Sequence, residues 1–251
     1  QGPLQNMPPP VEKTVTVKSP VNLNKRSLKL LPTDKDGVYN LQFTFDSIVD
    51  CVVRVFYLAK ETKDKKTQAI AYTSASGTPD GTFFKTGLTQ TYTSSTKNQL
   101  DISLFPNDED LDVDEEKKFY PVVVMLEAVT AKSAHVQSQA TLAKLYKCAD
   151  DTLEIKAVKQ KIQYRGMSYL VHDIFGIDES RETSEECVIC ITNPRNTVVI
   201  PCRHMCLCHE CAEALRHQTN KCPICRGSVR SLLKIEITKP KGLLLNKSTE
   251  S

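Results

Sequence analysis

A dense cluster of cysteines between Cys187 and Cys225 is the feature that most constrains how this chain can fold. Eight of the chain's ten cysteines fall in this stretch, and His204 is set among them. The residues that could bind a metal come in four pairs: Cys187/Cys190, Cys202/His204, Cys208/Cys211 and Cys222/Cys225. Three pairs have Cys-x-x-Cys spacing, which lets both sulfurs of a tight turn face one ion. Because zinc takes four ligands in a tetrahedron, the pairs predict two closed, structural Zn²⁺ sites.

A disulfide-bonded secreted scaffold is the alternative explanation for a cysteine-dense stretch. The sequence shows no signal peptide, and the rest of the chain holds only Cys51 and Cys148. Clustering with a paired histidine therefore favours metal binding in a reducing compartment. Cys206 is left over. It could replace Cys208 as a ligand, but Cys206 and Cys211 lack the two-residue gap of a Cys-x-x-Cys turn, or knuckle. We therefore interpret Cys206 as a small buried apolar side chain.

Composition and charge exclude several classes of function. The net charge of +3 arises from 33 basic and 30 acidic residues, which implies no strong attraction to nucleic acid or membrane. The longest apolar run, near residues 122–126, is far shorter than the ~20 residues needed to span a bilayer. The cysteine-rich stretch contains no aromatic residue and its basic residues are scattered, unlike a nucleic-acid-binding finger. The chain begins at Gln1 rather than at a methionine, which indicates a fragment of a longer protein.

The region before the cysteines has the alternating pattern of β-strands. Leu41, Phe43 and Phe45 share one face of a predicted half-buried strand, and Arg165-Gly166 is a predicted hairpin turn. Residues 135–146 could be a strand or a helix, and residues 74–98 are predicted to be a long surface loop. These strands predict an antiparallel β-sandwich: residues 13–17, 27–31, 41–45, 52–59, 100–105, 120–129, 135–146, 153–164 and 168–176.

Composition also suggests where the domains begin and end. The first residues are proline-rich, residues 177–186 are polar and acidic, and the last residues are polar around a short leucine run. A strand at residues 229–237 is predicted to pair back onto the cysteine-rich domain. We expect these segments: a flexible lead-in (1–12), a β-rich domain (13–176), a linker (177–186), a zinc domain with its C-terminal strand (187–238) and a flexible tail (239–251).

Two features of the β-rich region invite a functional interpretation. The acidic run at residues 107–116 has alternating aspartates, but an EF-hand loop needs Gly at its sixth position and Glu at its twelfth. Counted from Asp108, those positions hold Val113 and Phe119, so we predict a solvated loop. His135 and His172 have no accompanying nucleophile pattern, and we interpret both as ordinary strand residues.

The gaps of 11, 3 and 10 residues between the four pairs resemble those of the RING finger. Spacing alone is also compatible with a sequential pairing of the same residues. The resemblance implies that the pairs interleave, with the first and third pairs on one zinc and the second and fourth on the other. The implied ligand sets are Cys187, Cys190, Cys208 and Cys211 for one ion, and Cys202, His204, Cys222 and Cys225 for the other.

The RING resemblance also implies a docking groove for a ubiquitin-conjugating enzyme. Its residues would be Val188 and Ile189 in the first knuckle, Leu215 in a predicted helix over residues 210–217, and Pro223 in the last knuckle. The alternative is that Ile189 and Leu215 only fill a small core. The family often has Trp where Leu215 stands, a departure that could weaken docking or change enzyme preference.

Arg226 directly follows the last ligand, where active RING ligases carry a basic residue that bridges the conjugating enzyme and its ubiquitin. A guanidinium has five donors and no acceptor, so it can bind carbonyl groups of two proteins at once. The alternative is an ordinary surface arginine. A RING needs no nucleophile of its own, because it acts by restricting orientation.

Longer segments resemble the mahogunin-type RING ubiquitin ligases of animals and their plant relatives. The similar segments are residues 201–226 in the zinc region and residues 21–30, 41–46 and 153–176 upstream. The resemblance implies a cytoplasmic ligase, at the periphery of endomembranes or the plasma membrane, without a covalent ubiquitin intermediate. Its N-terminal domain would recruit substrates, namely membrane proteins or trafficking factors. The Pro-Ser/Thr-Ala-Pro motif of some members does not occur here.

A non-catalytic scaffold or adaptor that depends on zinc is the alternative function. Ile189, Pro223 and Arg226 distinguish the two, because a scaffold needs neither a docking groove nor a bridging arginine. All three favour the ligase.

Overall fold

A computed structural model describes residues 8–13, 19–63, 70–74, 77–129, 137–149, 152–176 and 186–235. Residues 1–7 of the predicted lead-in, His135, most of the predicted linker (177–185) and the predicted tail (239–251) lie outside the described residues. The described strands are β1 (Val11–Lys13), β2 (Val21–Leu23), β3 (Lys29–Pro32), β4 (Val38–Ser47), β5 (Cys51–Lys63), β6 (Ile70–Thr73), β7 (Thr82–Phe84), β8 (Gly87–Thr93), β9 (Leu100–Asp101), β10 (Phe119–Ala128), β11 (Ser138–Lys147), β12 (Leu153–Tyr164), β13 (Met167–Val171), β14 (Thr197–Ile200), β15 (His204–Leu207) and β16 (Ser231–Lys234). The one α-helix in this part of the chain is α1 (His209–Gln218). It is too short to cross a membrane.

The chain divides into two compact units. One comprises Val17–His172 and contains β2 to β13, and we call it the β-domain. The other joins Gln1–Thr16 to Asp173–Ser251 and contains β1, β14, β15, α1 and β16. This division differs from the expected lead-in, because residues 11–13 form a strand that pairs in parallel with β16.

The β-domain is built from two mainly antiparallel sheets, as the alternating sequence predicted. The larger sheet has the order β13-β12-β11-β10-β5-β6, with β7 also paired to β5. The smaller sheet has the order β2-β4-β3, with β8 and β9 also paired to β4. The predicted β-sandwich is therefore confirmed.

The core of the β-domain lies between the two sheets. Phe43 and Phe45 of β4 are buried in one cluster that also contains Val122 and Val124 of β10 and residues from most of the other strands. The apolar face predicted from the alternation of β4 is the buried face, because successive side chains of a strand point to opposite sides. Tyr92 of β8 stacks on Phe43 with ring centroids 4.9 Å apart, which anchors the outer strands of the smaller sheet.

Two buried glutamines join the sheets beside β2. The side-chain oxygen of Gln139 accepts a hydrogen bond from the Leu23 N–H at 2.6 Å. The side-chain amide of Gln160 donates to the Leu23 carbonyl at 3.0 Å and to the Thr141 hydroxyl at 3.0 Å. Because β2 is an edge strand, these bonds satisfy backbone groups that would otherwise be buried without partners.

Three segments differ from the sequence expectation or resolve it. Residues 74–98 contain β7 and β8 and are therefore not a structureless loop. In β8, Thr stands at alternate positions and Tyr92 lies between two of them, and both residue types favour a partly exposed strand. The strand predicted at residues 100–105 ends at Asp101, whose carboxylate accepts a hydrogen bond from the Ser103 N–H and starts a 3₁₀ turn. Of the two possibilities for residues 135–146, the strand is correct, because β11 is hydrogen-bonded on both sides by β10 and β12.

The acidic run forms ion pairs with neighbouring lysines. Asp108 lies 3.3 Å from Lys147, and Asp112 lies 3.3 Å from Lys144. Lysines on β11 thus compensate its charge, and the described acidic residues do not converge on a metal site.

Candidate zinc centres

The eight predicted ligands gather in two clusters in the second unit. In each cluster the four possible ligand atoms all lie within 4.8 Å of one another. Among the described residues, these are the groups of three or more such side chains close enough to hold an ion. The first cluster is Cys187, Cys190, Cys208 and Cys211, and the second is Cys202, His204, Cys222 and Cys225.

The distances within both clusters suit zinc. Two thiolates at ~2.3 Å from a tetrahedral zinc would be about 3.8 Å apart. The sulfurs of Cys190 and Cys208 are 3.9 Å apart, and the Cys222 sulfur lies 3.8 Å from Nδ1 of His204. The residues therefore fit two Zn²⁺ ions. They also combine the first pair with the third and the second with the fourth, which is the interleaved arrangement and not the sequential one.

The first and last Cys-x-x-Cys knuckles form the same turn. The Ile191 N–H donates to the Cys187 carbonyl at 2.9 Å, and the Arg226 N–H donates to the Cys222 carbonyl at 2.9 Å. Ile191 and Arg226 both have positive φ, at 51° and 60°. Such a turn directs both cysteine sulfurs of a knuckle toward one point, which is the requirement for a shared metal.

Backbone N–H groups aimed at sulfur lower the pKa of three ligand thiols, Cys187, Cys190 and Cys225, whereas burial raises the pKa of the Cys202, Cys208 and Cys211 thiols. Burial raises the pKa of the Cys187 thiol, but hydrogen bonds from backbone N–H groups, first that of Cys190, outweigh it and lower the pKa to about 6. The backbone of Asn193 lowers the pKa of Cys190, and that of Gly227 lowers the pKa of Cys225. A thiolate is the form of cysteine that ligates zinc, so these hydrogen bonds favour metal binding.

Cys206 and Cys208 have different surroundings. Cys206 lies in β15 with its side chain in the small core, and burial raises its pKa to about 12. It therefore remains a neutral thiol outside both clusters. Cys208 belongs to the first cluster and is also the N-cap of α1, since its sulfur accepts a hydrogen bond from the Cys211 N–H at 3.5 Å.

The helix places residues on both the core and the N-terminal segment. Ala212 is buried, and Leu215 is partly buried against the small core. The guanidinium of Arg216 donates to the Pro9 carbonyl at 3.0 Å, while β1 extends the sheet to the order β1-β16-β14-β15. No local sequence pattern could have predicted this contact, because the two segments lie more than 200 positions apart.

Phe175 extends the other edge of this sheet. Its N–H donates to the Arg203 carbonyl at 2.9 Å, and its carbonyl accepts from the Met205 N–H at 2.8 Å. The Phe175 ring lies 5.7 Å from the His204 ring, and the Arg203 guanidinium lies over it at 5.4 Å. Gly176 follows with φ of 96°, and a Cβ there would lie 2.8 Å from the Met205 carbonyl oxygen. The expected β-domain therefore ends at residue 172, because residues 173–176 belong with the zinc unit.

The predicted docking residues differ in exposure. Val188, Ile189, Pro223 and Arg226 are exposed, whereas Leu215 is partly buried. Ile224 is also exposed, at 53% compared with 46% for Ile189, and it occupies the matching position of the last knuckle. Superposing the two Cys-x-x-Cys motifs in the sequence would have identified Ile224.

Comparison with known proteins agrees with this architecture. Residues 21–171 match the RNF157-like N-terminal domain, and residues 183–232 match the zinc finger of C3HC4 type (RING finger). The probable E3 ubiquitin-protein ligases LOG2 and LUL1 of Arabidopsis thaliana are 36% and 35% identical, over 90% and 91% of this chain and 63% and 70% of their own lengths. Human E3 ubiquitin-protein ligase MGRN1 is 33% identical over 93% of this chain and 47% of its own length.

No solved structure matched the chain. The chain spans less than two-thirds of LOG2 and less than half of human MGRN1. The model of the RNF157-like N-terminal domain by itself covers more than half of this chain. The chain therefore belongs to the family that joins an RNF157-like N-terminal domain to a C3HC4-type RING finger.

Proposed function

We propose that the protein is a RING-type E3 ubiquitin ligase that docks a ubiquitin-conjugating enzyme and promotes ubiquitin transfer to substrates recruited by the β-domain. The observation that carries the proposal is that both matching knuckles expose their apolar side chains, namely Val188, Ile189, Pro223 and Ile224. None of these side chains ligates metal or fills the core. When a partner covers exposed apolar side chains of a small module, the free energy falls, so such side chains mark sites of protein–protein contact.

The proposed chemistry requires no nucleophile from this chain. A substrate amine attacks the thioester carbonyl of ubiquitin, an amide bond forms, the C–S bond breaks, and the sulfur of the conjugating enzyme leaves as a thiol once the proton lost by the amine is returned to it. The ligase accelerates this step by restricting orientation. In the RING region seven cysteines are assigned to metal, and the buried Cys206 stays protonated, so none acts as an acceptor.

Arg226 is proposed to bridge the conjugating enzyme and its bound ubiquitin. Its positive φ and its hydrogen bond to the Cys222 carbonyl fix its backbone beside the second cluster, and its side chain is exposed. A guanidinium held there can donate to carbonyl groups on two proteins, which a lysine would do less well. Restricting ubiquitin in this way favours the reactive orientation of the thioester.

For the β-domain we propose substrate recruitment, with membrane proteins or trafficking factors as the substrates. The support is the resemblance to mahogunin-type ligases and the match to the RNF157-like N-terminal domain. The ligase would act in the cytoplasm, near the membranes where such substrates reside.

The test is autoubiquitination by the purified chain across a panel of conjugating enzymes. Ile189→Ala should reduce activity at least tenfold with two zinc ions retained, because it removes a docking contact and no ligand. Ile48→Ala is the matched control, since Ile48 is an exposed isoleucine of the β-domain.

Arg226→Ala should preserve binding of the conjugating enzyme and slow ubiquitin discharge. Inactivity of the wild-type chain with every enzyme would favour the scaffold, and zinc loss in Ile189→Ala would make that residue part of the core.

A further inference from the structure

β13 is an open edge of the larger sheet. It pairs with β12 on one side, and no strand in the described part of the chain pairs on its other side. Native edge strands usually discourage pairing with lysine, proline or a bulge. β13 contains no charged residue and no proline. Four of its five side chains are apolar and 36% to 57% exposed: Met167, Tyr169, Leu170 and Val171.

The hairpin turn determines which backbone groups of β13 face outward. Arg165 and Gly166 both have positive φ and form a two-residue turn closed by Tyr164 and Met167. The residues that flank such a turn are hydrogen-bonded to each other. Because hydrogen-bonded and non-hydrogen-bonded pairs alternate along an antiparallel ladder, Ser168 and Leu170 direct their N–H and C=O groups away from β12.

The edge at β2 shows the contrast. There the outward N–H and C=O groups of Leu23 are satisfied by the side chains of Gln139 and Gln160. No described residue outside the β12 ladder makes a backbone hydrogen bond to Ser168 or Leu170. The β-domain therefore closes the β2 edge with dedicated side chains and leaves the β13 edge available.

We propose that β13 pairs with β13 of a second copy of this chain, antiparallel, about a two-fold axis at Tyr169. In this register Ser168 lies opposite Leu170 of the second copy, and the two symmetric pairs form four N–H···O=C bonds. Tyr169 lies opposite itself, and Met167 lies opposite Val171. On the face of the sheet that carries Tyr169, every cross-strand pair is then apolar or aromatic. No like charges meet on either face. Such a self-complementary surface is what a two-fold interface requires.

The size of this contact determines its strength. A five-residue strand covers less area than the ~800 Å² per partner of stable complexes. The dimer should therefore form in a concentration-dependent way, in rapid exchange with the monomer. Self-association through β13 does not depend on the proposed ligase activity, so the two proposals can fail separately.

A charge exchange at Tyr169 tests the two-fold axis directly. The full chain is studied by sedimentation equilibrium up to roughly 500 μM, a range suited to an interface of this size. Wild type should show a monomer–dimer equilibrium. Tyr169→Lys alone and Tyr169→Glu alone should each be monomeric, because like charges face each other at the axis. An equimolar mixture of the two should dimerise again, because opposite charges then face each other.

Phe83→Lys is the matched control, since it places the same charge on another exposed aromatic residue of the β-domain and should leave dimerisation unchanged. Leu170→Pro removes an outward N–H without removing a bond to β12, and it should also give monomers. Circular dichroism checks that each variant is folded. The proposal is overturned if wild type stays monomeric, if Tyr169→Lys dimerises like wild type, or if the mixture of charge variants stays monomeric.

Discussion

The β-domain and the RING unit both contain antiparallel strands packed around a core, but different interactions stabilise the two cores. The β-domain has a continuous apolar core between two sheets. In the small core of the RING unit, four of the eight buried residues are cysteines: Cys187, Cys206, Cys208 and Cys222. Three of these four belong to the metal clusters. In the RING unit, metal coordination therefore replaces the contacts that apolar side chains make in the β-domain.

Size explains the difference. A domain of roughly 150 residues can bury enough apolar surface to be stable, whereas a module of about 50 residues needs a further source of free energy. The RING unit gains it from two zinc sites and from strands added at both sheet edges, β1 and Phe175. The two units should consequently respond differently to metal removal and to core mutation.

Metal removal should produce the largest difference in stability between the two units. Binding of structural zinc contributes about 10–16 kcal/mol in small modules, and that free energy is folding free energy. Chelation should therefore unfold the RING unit and leave the β-domain folded, as measured by amide hydrogen exchange. The untreated protein should contain two zinc ions per chain by elemental analysis. A ratio near one would contradict the two-site assignment.

Truncation of an aromatic side chain in the β-domain core should destabilise the β-domain and leave the RING unit unaffected. Phe43→Ala removes a fully buried ring of the β-domain and should destabilise that domain by about 3–5 kcal/mol in denaturant unfolding. Zinc content should be unchanged, because the RING unit has its own core. Phe83→Ala, at 53% exposure, is the control and should cost much less. Loss of zinc from Phe43→Ala would mean that the two units do not fold independently.

A smaller effect is expected where Phe175 joins the RING sheet. Gly176→Ala adds a Cβ that meets the Met205 carbonyl oxygen, at a backbone conformation that costs about 1–3 kcal/mol for a side chain. Amide exchange at Met205 should speed up while both zinc ions are retained. Gly77→Ala is the control, because Gly77 has φ of 88° but open space around its Cβ position. Equal effects of the two substitutions would show that the contact with Met205 is unimportant.

Removal of the tail should have the smallest effect. The leucines at positions 243–245 lie outside the described residues, and the sequence has no aromatic residue after Phe175 that could pack flat against ubiquitin. Truncation after Thr238 should leave autoubiquitination within a few-fold of the full chain. An inactive truncation that is rescued by mixing with the full-length Ile189→Ala chain would instead show a tail that acts in trans.

Much of the candidate site could be predicted, because its signals are local. Cys-x-x-Cys spacing identifies a knuckle within four residues, and the alternation of Leu41, Phe43 and Phe45 identifies a buried face within five. The exposed Ile224 could also have been found from the similarity of the two knuckles. The docking surface and the role of Arg226 remain predictions, since they concern a partner.

The sequence by itself determined the eight metal ligands and the β-sandwich, because ligand spacing and strand periodicity are properties of short segments. Tertiary structure alone decided that residues 11–13 and Phe175 complete the RING sheet, and that β7 and β8 join the β-domain. Strand pairing between distant segments depends on which edges remain free after each domain has folded. That choice depends on the hydrogen-bonding partners that are available in space, which no local pattern records.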